Sequence, residues 1–142
     1  KEYHEQPLWS ERWSLNENFM FVTLYKGRYH YDSAKLNKHI ADQLVYLNPE
    51  TQKAELLYEC VGENRLIYGS LDFVLLFNGD KNAFQYISLA DGEILKEIKT
   101  DLKATRKMYF VKVFDVDKVA TVTRVDLWGN RSEILTLSLE VQ

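Results

Sequence analysis

The clearest hydrophobic pattern lies at the end of the chain, where Leu135, Leu137, Leu139 and Val141 alternate with Thr136, Ser138 and Glu140. Successive side chains of a strand point to opposite faces, so this stretch predicts a strand with one buried and one wet face. Aromatic and β-branched runs begin earlier, at Phe19-Met20-Phe21-Val22-Thr23-Leu24-Tyr25 and Arg28-Tyr29-His30-Tyr31, separated by Lys26-Gly27. That arrangement predicts a hairpin. Residues 32–42 are polar without a period and predict a loop, followed by strands at 43–47 and 54–60 around the turn Asn48-Pro49-Glu50-Thr51. Four short runs then follow at 65–68, 73–77, 83–87 and 93–98, broken by Gly69-Ser70, Asn78-Gly79-Asp80 and Ala90-Asp91-Gly92. Each break holds residues that accept positive φ or bond their own backbone. The last third predicts strands at 108–114, 118–125 and 132–141, with turns at Asp115-Val116-Asp117 and Trp128-Gly129-Asn130.

A phrase recurs along these strands. Tyr46-Leu47-Asn48-Pro49-Glu50-Thr51-Gln52-Lys53 leads into Glu55-Leu56-Leu57-Tyr58-Glu59, and Tyr86-Ile87-Ser88-Leu89-Ala90-Asp91-Gly92-Glu93 leads into Ile94-Leu95-Lys96-Glu97-Ile98. The two tyrosines stand 40 residues apart. A third, weaker copy runs Val125-Asp126-Leu127-Trp128-Gly129-Asn130-Arg131 into Glu133-Ile134-Leu135. An interval of about 40 residues between hairpin-like units is expected of tandem β arrays. The expectation is an all-β antiparallel chain of about ten to twelve short strands in roughly three four-stranded units. Residues 1–18 are polar and rich in Glu, with Trp9 and Trp13 four apart, and are expected to form an N-terminal arm that packs by its tryptophans. Residues 19–142 make one domain, with units at about 19–60, 65–98 and 106–141.

Composition narrows the function. At 142 residues and 46% apolar, the chain suffices for one domain with a real core. A net charge of −3 offers no basic field for nucleic acid or an anionic membrane. No apolar run approaches the roughly 18–20 residues of a transmembrane span. A single cysteine, Cys60, excludes an intramolecular disulfide and a multi-cysteine metal site, and reads as a small buried side chain. The opening at Lys1 fits a processed, exported protein, for which a secreted or cell-envelope location is expected, and equally a piece of a longer chain.

The unit at 65–98 resembles a blade of a bacterial β-propeller, in which an aliphatic pair meets a turn of the type Asn/Ser/Asp, small or Pro, Asp/Thr, Gly/Gln. Residues 47–52, 87–92 and 125–130 follow that outline. The resemblance implies a binding or scaffolding protein, often exported, and carries no catalytic residue to this chain. Closed propellers need typically four to eight blades where this chain supplies about three, which leaves open a propeller-like arc or fragment and, as the alternative, a small β-barrel or β-sandwich. Open blade edges expose unpaired backbone groups, so an arc is expected to self-associate through them or to be capped.

Candidate chemistry is sparse. His4, His30 and His39 sit on different segments and form no ligand set, and Asp115 and Asp117 lack the further oxygens and glycine of a calcium loop. Gly69-Ser70 lacks the flanking pattern of a nucleophile elbow. No catalytic residue, metal ligand or cofactor is assigned. The one compositional pointer is an aromatic content of 13%. Trp9, Trp13, Tyr25, Tyr29, Tyr31 and Trp128 fall in or beside turns and edges, where rings meet a partner, although the plainer reading is that aromatics pack the interior. The expected function is a non-catalytic module recognising protein or carbohydrate. A β-barrel holding a small apolar ligand is the rival, and a hydrolase-type enzyme the third reading.

Overall fold

The computed structural model describes residues 3–7, 18–26, 38–102, 108–114 and 116–141, with the side chains of 18–24, 40–102, 109–114 and 116–141. Among them are eleven strands: β1 (Tyr3–Pro7), β2 (Phe19–Lys26), β3 (Lys38–Asn48), β4 (Lys53–Val61), β5 (Asn64–Gly69), β6 (Phe73–Asn78), β7 (Ala83–Ser88), β8 (Ile94–Lys99), β9 (Met108–Phe114), β10 (Val119–Val125) and β11 (Arg131–Ser138). They form three sheets, with orders β2-β3-β4 (sheet I), β5-β6-β7-β8 (sheet II) and β1-β9-β10-β11 (sheet III). Every pairing is antiparallel.

Sheet II lies between the other two. Cross-strand partners share a face, which places Tyr68, Leu75 and Tyr86 on one side and Gly69, Val74 and Ile87 on the other. On the first side the Tyr86 hydroxyl donates to the carbonyl of Ser138 in sheet III, at 2.6 Å. On the second, a Cβ at Gly69 would run into the side chain of Leu44 in sheet I. Strands β5, β6 and β7 are therefore buried on both faces. Their sequences are nearly continuous apolar runs for that reason, whereas β11 and the residues after it alternate. Leu137 and Leu139 are buried there, and Thr136, Ser138 and Glu140 are exposed, as the pattern predicts. One core joins the three sheets, from Phe21 and Leu44 through Val74 and Phe77 to Val111, Val122 and Leu137.

A buried ion pair fixes sheet I against sheet II. Asp42 of β3 accepts from the Arg65 Nε at 2.9 Å, from the Leu66 backbone N–H at 3.0 Å and from the Thr23 hydroxyl at 3.0 Å. Its side chain is 2% exposed and that of Arg65 is 4%. Strand β5 is the edge of sheet II, so the carboxylate supplies the Leu66 N–H with the acceptor that a further strand would otherwise provide. The chain passes from β4 to β5 through Gly62 and Glu63 alone, which keeps this edge close to β3.

Each sheet ends on an exposed strand that carries one bulge. The register of β4 skips Leu57, that of β8 skips Leu95 and that of β11 skips Ile134. The bulges interrupt the ladder on strands that also carry Glu55 and Glu59, Lys96 and Glu97, and Arg131 and Glu133. Both devices discourage another strand from pairing onto the edge.

Four expectations require correction or placement. Residues 38–42 are strand, because β2 pairs with β3 from Lys26 opposite Lys38 to Phe19 opposite Tyr46. The polar character that suggested a loop reflects Asp42, whose burial depends on an arginine 23 residues away. The expected hairpin partner at 28–31 lies outside the described residues. No barrel closes among the described strands, since sheets of three and four strands are far below the roughly eight that a closed barrel needs. Within the expected N-terminal arm, Tyr3–Pro7 is a strand paired with β9.

Replacing Asp42 with Ala takes the carboxylate away from the buried Arg65, at an expected cost of about 3–5 kcal/mol in urea unfolding. The double variant Asp42→Leu/Arg65→Met is expected to lose clearly less than the two single losses combined, although it still leaves the Leu66 N–H without its acceptor. Gly69→Ala is expected to cost about 1–3 kcal/mol by overpacking, and most of that penalty should vanish in a Leu44→Ala background. Additive losses in that second cycle would contradict the packing of sheet I on sheet II.

Candidate functional site

The described surface presents its most exposed large apolar side chains at one place, the turn between β10 and β11. Leu127 is 98% exposed and Trp128 88%. The turn is held from below. Asp126 Oδ1 accepts from the backbone N–H of Trp128 at 2.8 Å and of Asn130 at 2.9 Å. The Asp126 N–H donates to the Asn130 carbonyl, and the Gly129 N–H donates to the Asp126 carbonyl. Gly129 sits at φ +85°, a region that glycine enters without steric cost. The two apolar side chains are thus carried on a backbone whose polar groups are occupied by the turn itself.

The recurring sequence phrases form the corresponding turns of all three sheets. Asn48 Oδ1 accepts from Glu50 and Thr51, and the Gln52 N–H returns to the Asn48 carbonyl. Ser88 Oγ accepts from Ala90, and the Gly92 N–H returns to the Ser88 carbonyl. Each closes with a residue at positive φ, Gln52 at 59°, Gly92 at 75° and Gly129 at 85°. Only the third raises a Leu-Trp pair at its tip; the others carry Pro49-Glu50 and Leu89-Ala90 in the same stretch.

Electrostatics at the tip follow from this geometry. The N–H groups of Asn130 and Trp128, with Arg124 nearby, hold the Asp126 carboxyl below its usual value of 3.8. Elsewhere, burial pushes the Tyr86 phenol up, and it stays protonated as the donor to Ser138. Burial and the neighbouring Cys60 raise Tyr58 likewise. Cys60 is a buried thiol whose Sγ donates to the Asn64 carbonyl at 3.5 Å, in keeping with its reading as a small interior side chain. Among the described residues no group of three or more His, Cys, Asp or Glu gathers as a metal site.

Of the six aromatic residues singled out from sequence, only Trp128 has a described side chain, and it is exposed. Tyr25 lies in β2 opposite His39 in the register. Trp9, Trp13, Tyr29 and Tyr31 lie outside the described residues. Most other described aromatic rings pack inward: Phe21, Tyr68, Phe73, Phe77, Phe84, Tyr86 and Tyr109 are buried. Sequence reading overlooked Leu127 and the role of Asp126. The signal was present as an apolar pair inside a turn bracketed by Asp and Gly-Asn, where polar residues are the rule. No protein-family model matches the chain, and no curated protein or solved structure is significantly similar to it.

The depressed acidity of Asp126 makes the turn acid-sensitive. Its stabilising bonds are fully present above the unfolded value of 3.8 and are lost as pH falls through the lower folded value. Amide exchange at Trp128 and Asn130 should therefore hold steady from neutral pH down to about 4, after correction for intrinsic rates, and lose protection below it. An Asp126→Ala variant should show the loosened turn at every pH. Unchanged protection in that variant would remove the carboxylate from this role.

Proposed function

We propose that the chain is a non-catalytic binding module, built of blade-like β units, that engages a protein partner through the Leu127-Trp128 tip. The observation that carries this reading is the joint exposure of those two side chains on a turn whose backbone is already hydrogen-bonded. A Trp buries a large area at the cost of few rotors, and a preformed turn reduces the ordering lost on association. Removal of a Leu and a Trp from water is worth about 1.5–3 kcal/mol each, enough to matter at the centre of an interface. The Leu beside the ring favours a protein pocket over a sugar, because sugar platforms combine an aromatic face with polar neighbours that bond hydroxyls.

The blade reading draws on three features: the 40-residue spacing, the matching turn bonds and the bulged outer strand of every sheet. An extracytoplasmic setting remains part of the proposal on the strength of the propeller resemblance alone.

A random-peptide display library and a polysaccharide array, each probed with wild type and Trp128→Ala, test the reading. Apolar peptides selected by wild type should bind the variant at least about tenfold more weakly, while its unfolding free energy stays within about 0.5 kcal/mol of wild type. Selected peptides that bind both proteins equally would overturn it. Loss of glycan binding in the variant, without peptide binding, would move the assignment to carbohydrate.

A further inference from the structure

We propose that the edge of β9 is a strand-acceptor site, at which an extended segment of a partner protein replaces β1 and completes sheet III in its stead. Among the described strands, five of the six edge pairings carry a bulge: β2 with β3, β3 with β4, β5 with β6, β7 with β8 and β10 with β11. The sixth, β1 with β9, runs from Tyr3 opposite Phe114 to Pro7 opposite Phe110 with no residue skipped. The ladder from β9 to β10 is equally regular over all seven residues. A regular edge accepts another strand, and a bulged one resists it. One edge of the molecule is thus kept in pairing geometry, and a strand from the far end of the chain occupies it.

That strand differs from those it joins. The other strands of each sheet follow one another in the sequence, whereas 100 residues separate Pro7 from Met108. The row of His4 continues through Val113, Ala120 and Leu137, all 0% exposed, and the row of Gln6 through Val111, Val122 and Leu135. These rows belong to the core side of the sheet. In sheets I and II the strand at the same end of the order supplies Phe21 and Leu66, both buried. Strand β1 instead places a His and a Gln at register positions that the rest of sheet III fills with aliphatic residues. It stops at Pro7, which has no N–H to give a ladder.

The same register specifies the replacement. Opposite Val113 and Val111 the partner segment carries aliphatic residues. Between them, opposite Lys112, it carries an acid where β1 has Glu5, because opposite charges directly across a ladder attract. Opposite Phe114 it carries an aromatic residue where β1 has Tyr3. Main-chain bonds supply the common part of the affinity, and the alternate side chains supply the selectivity. Strand β1 competes at an effective concentration on the order of 1 mM, as does any strand joined through a short segment such as residues 8–18. Two buried aliphatic side chains in place of His and Gln gain at least roughly 100-fold. The partner segment therefore displaces β1 with an apparent Kd of about 10 µM or below. This site lies apart from the Leu127-Trp128 turn and does not rest on it.

Fluorescence anisotropy on the full chain, with a labelled peptide of residues 1–8 carrying His4→Val and Gln6→Ile, reads the exchange. That peptide should bind with an apparent Kd of about 10 µM or below, and the unsubstituted peptide at least about 100-fold more weakly. Amide exchange in the complex should show residues 3–6 of the chain losing protection while Val111 and Val113 keep theirs. A full chain carrying His4→Val/Gln6→Ile in its own β1 should unfold cooperatively at a raised temperature and bind the substituted peptide at least about 100-fold more weakly than wild type does. Trp128→Ala should bind it as wild type does, which separates this site from the tip. No binding up to roughly 500 µM overturns the proposal. So does binding that leaves residues 3–6 protected, equal binding of the two peptides, or equal binding by wild type and the chain with the substituted β1.

Discussion

A carboxylate buried with its guanidinium at the junction of two sheets determines much of how this chain packs. Asp42 gathers an arginine, a backbone N–H and a threonine hydroxyl, and all three come from different strands than its own. The cost of taking two charges out of water is several kcal/mol per ion, recovered only where the geometry leaves few bonds unmade. The same contact satisfies the edge of β5, which would otherwise present a donor to the apolar interior. The register of β3, the entry into β5 and the orientation of sheet I over sheet II are coupled through one side chain.

From that junction the burial of sheet II follows. With sheet I over one face and sheet III over the other, β5, β6 and β7 have no wet side, and the core is supplied by rows such as Phe77-Phe84, whose rings lie 4.9 Å apart. Gly69 belongs to the same arrangement, because Leu44 fills the space that its side chain would take. The outer strands differ: they are largely exposed, bulged and charged, and reach the core only through residues such as Cys60 and Leu137. The most exposed apolar side chains stand at the Leu127-Trp128 tip, where the proposed binding activity resides.

The legible part of the fold was the part with local causes. Alternation at Leu135, Leu137 and Leu139 announced a half-buried strand, and the turn residues after Tyr46 and Tyr86 announced hairpins whose side chains do bond their own backbone. The doubled aliphatic residues at Leu56-Leu57 and Ile94-Leu95 were visible as a repeated phrase, but their meaning as bulges was not, because a skipped residue is defined by the partner strand. The candidate tip was half legible: Trp128 stood out by type, whereas Leu127 and the turn bonds of Asp126 did not.

The amino-acid sequence by itself determined that this chain is antiparallel β, where most of its strands and turns fall, and that Cys60 is an interior thiol, since these depend on side-chain period, turn chemistry and polarity over a few residues. Tertiary structure alone decided that residues 38–42 are strand, that sheet II is enclosed on both faces, and that Trp128 is exposed while most other described rings are buried. Those outcomes rest on contacts between residues far apart in the chain, Asp42 with Arg65, Leu44 with Gly69, Tyr86 with Ser138, whose energies no local pattern encodes.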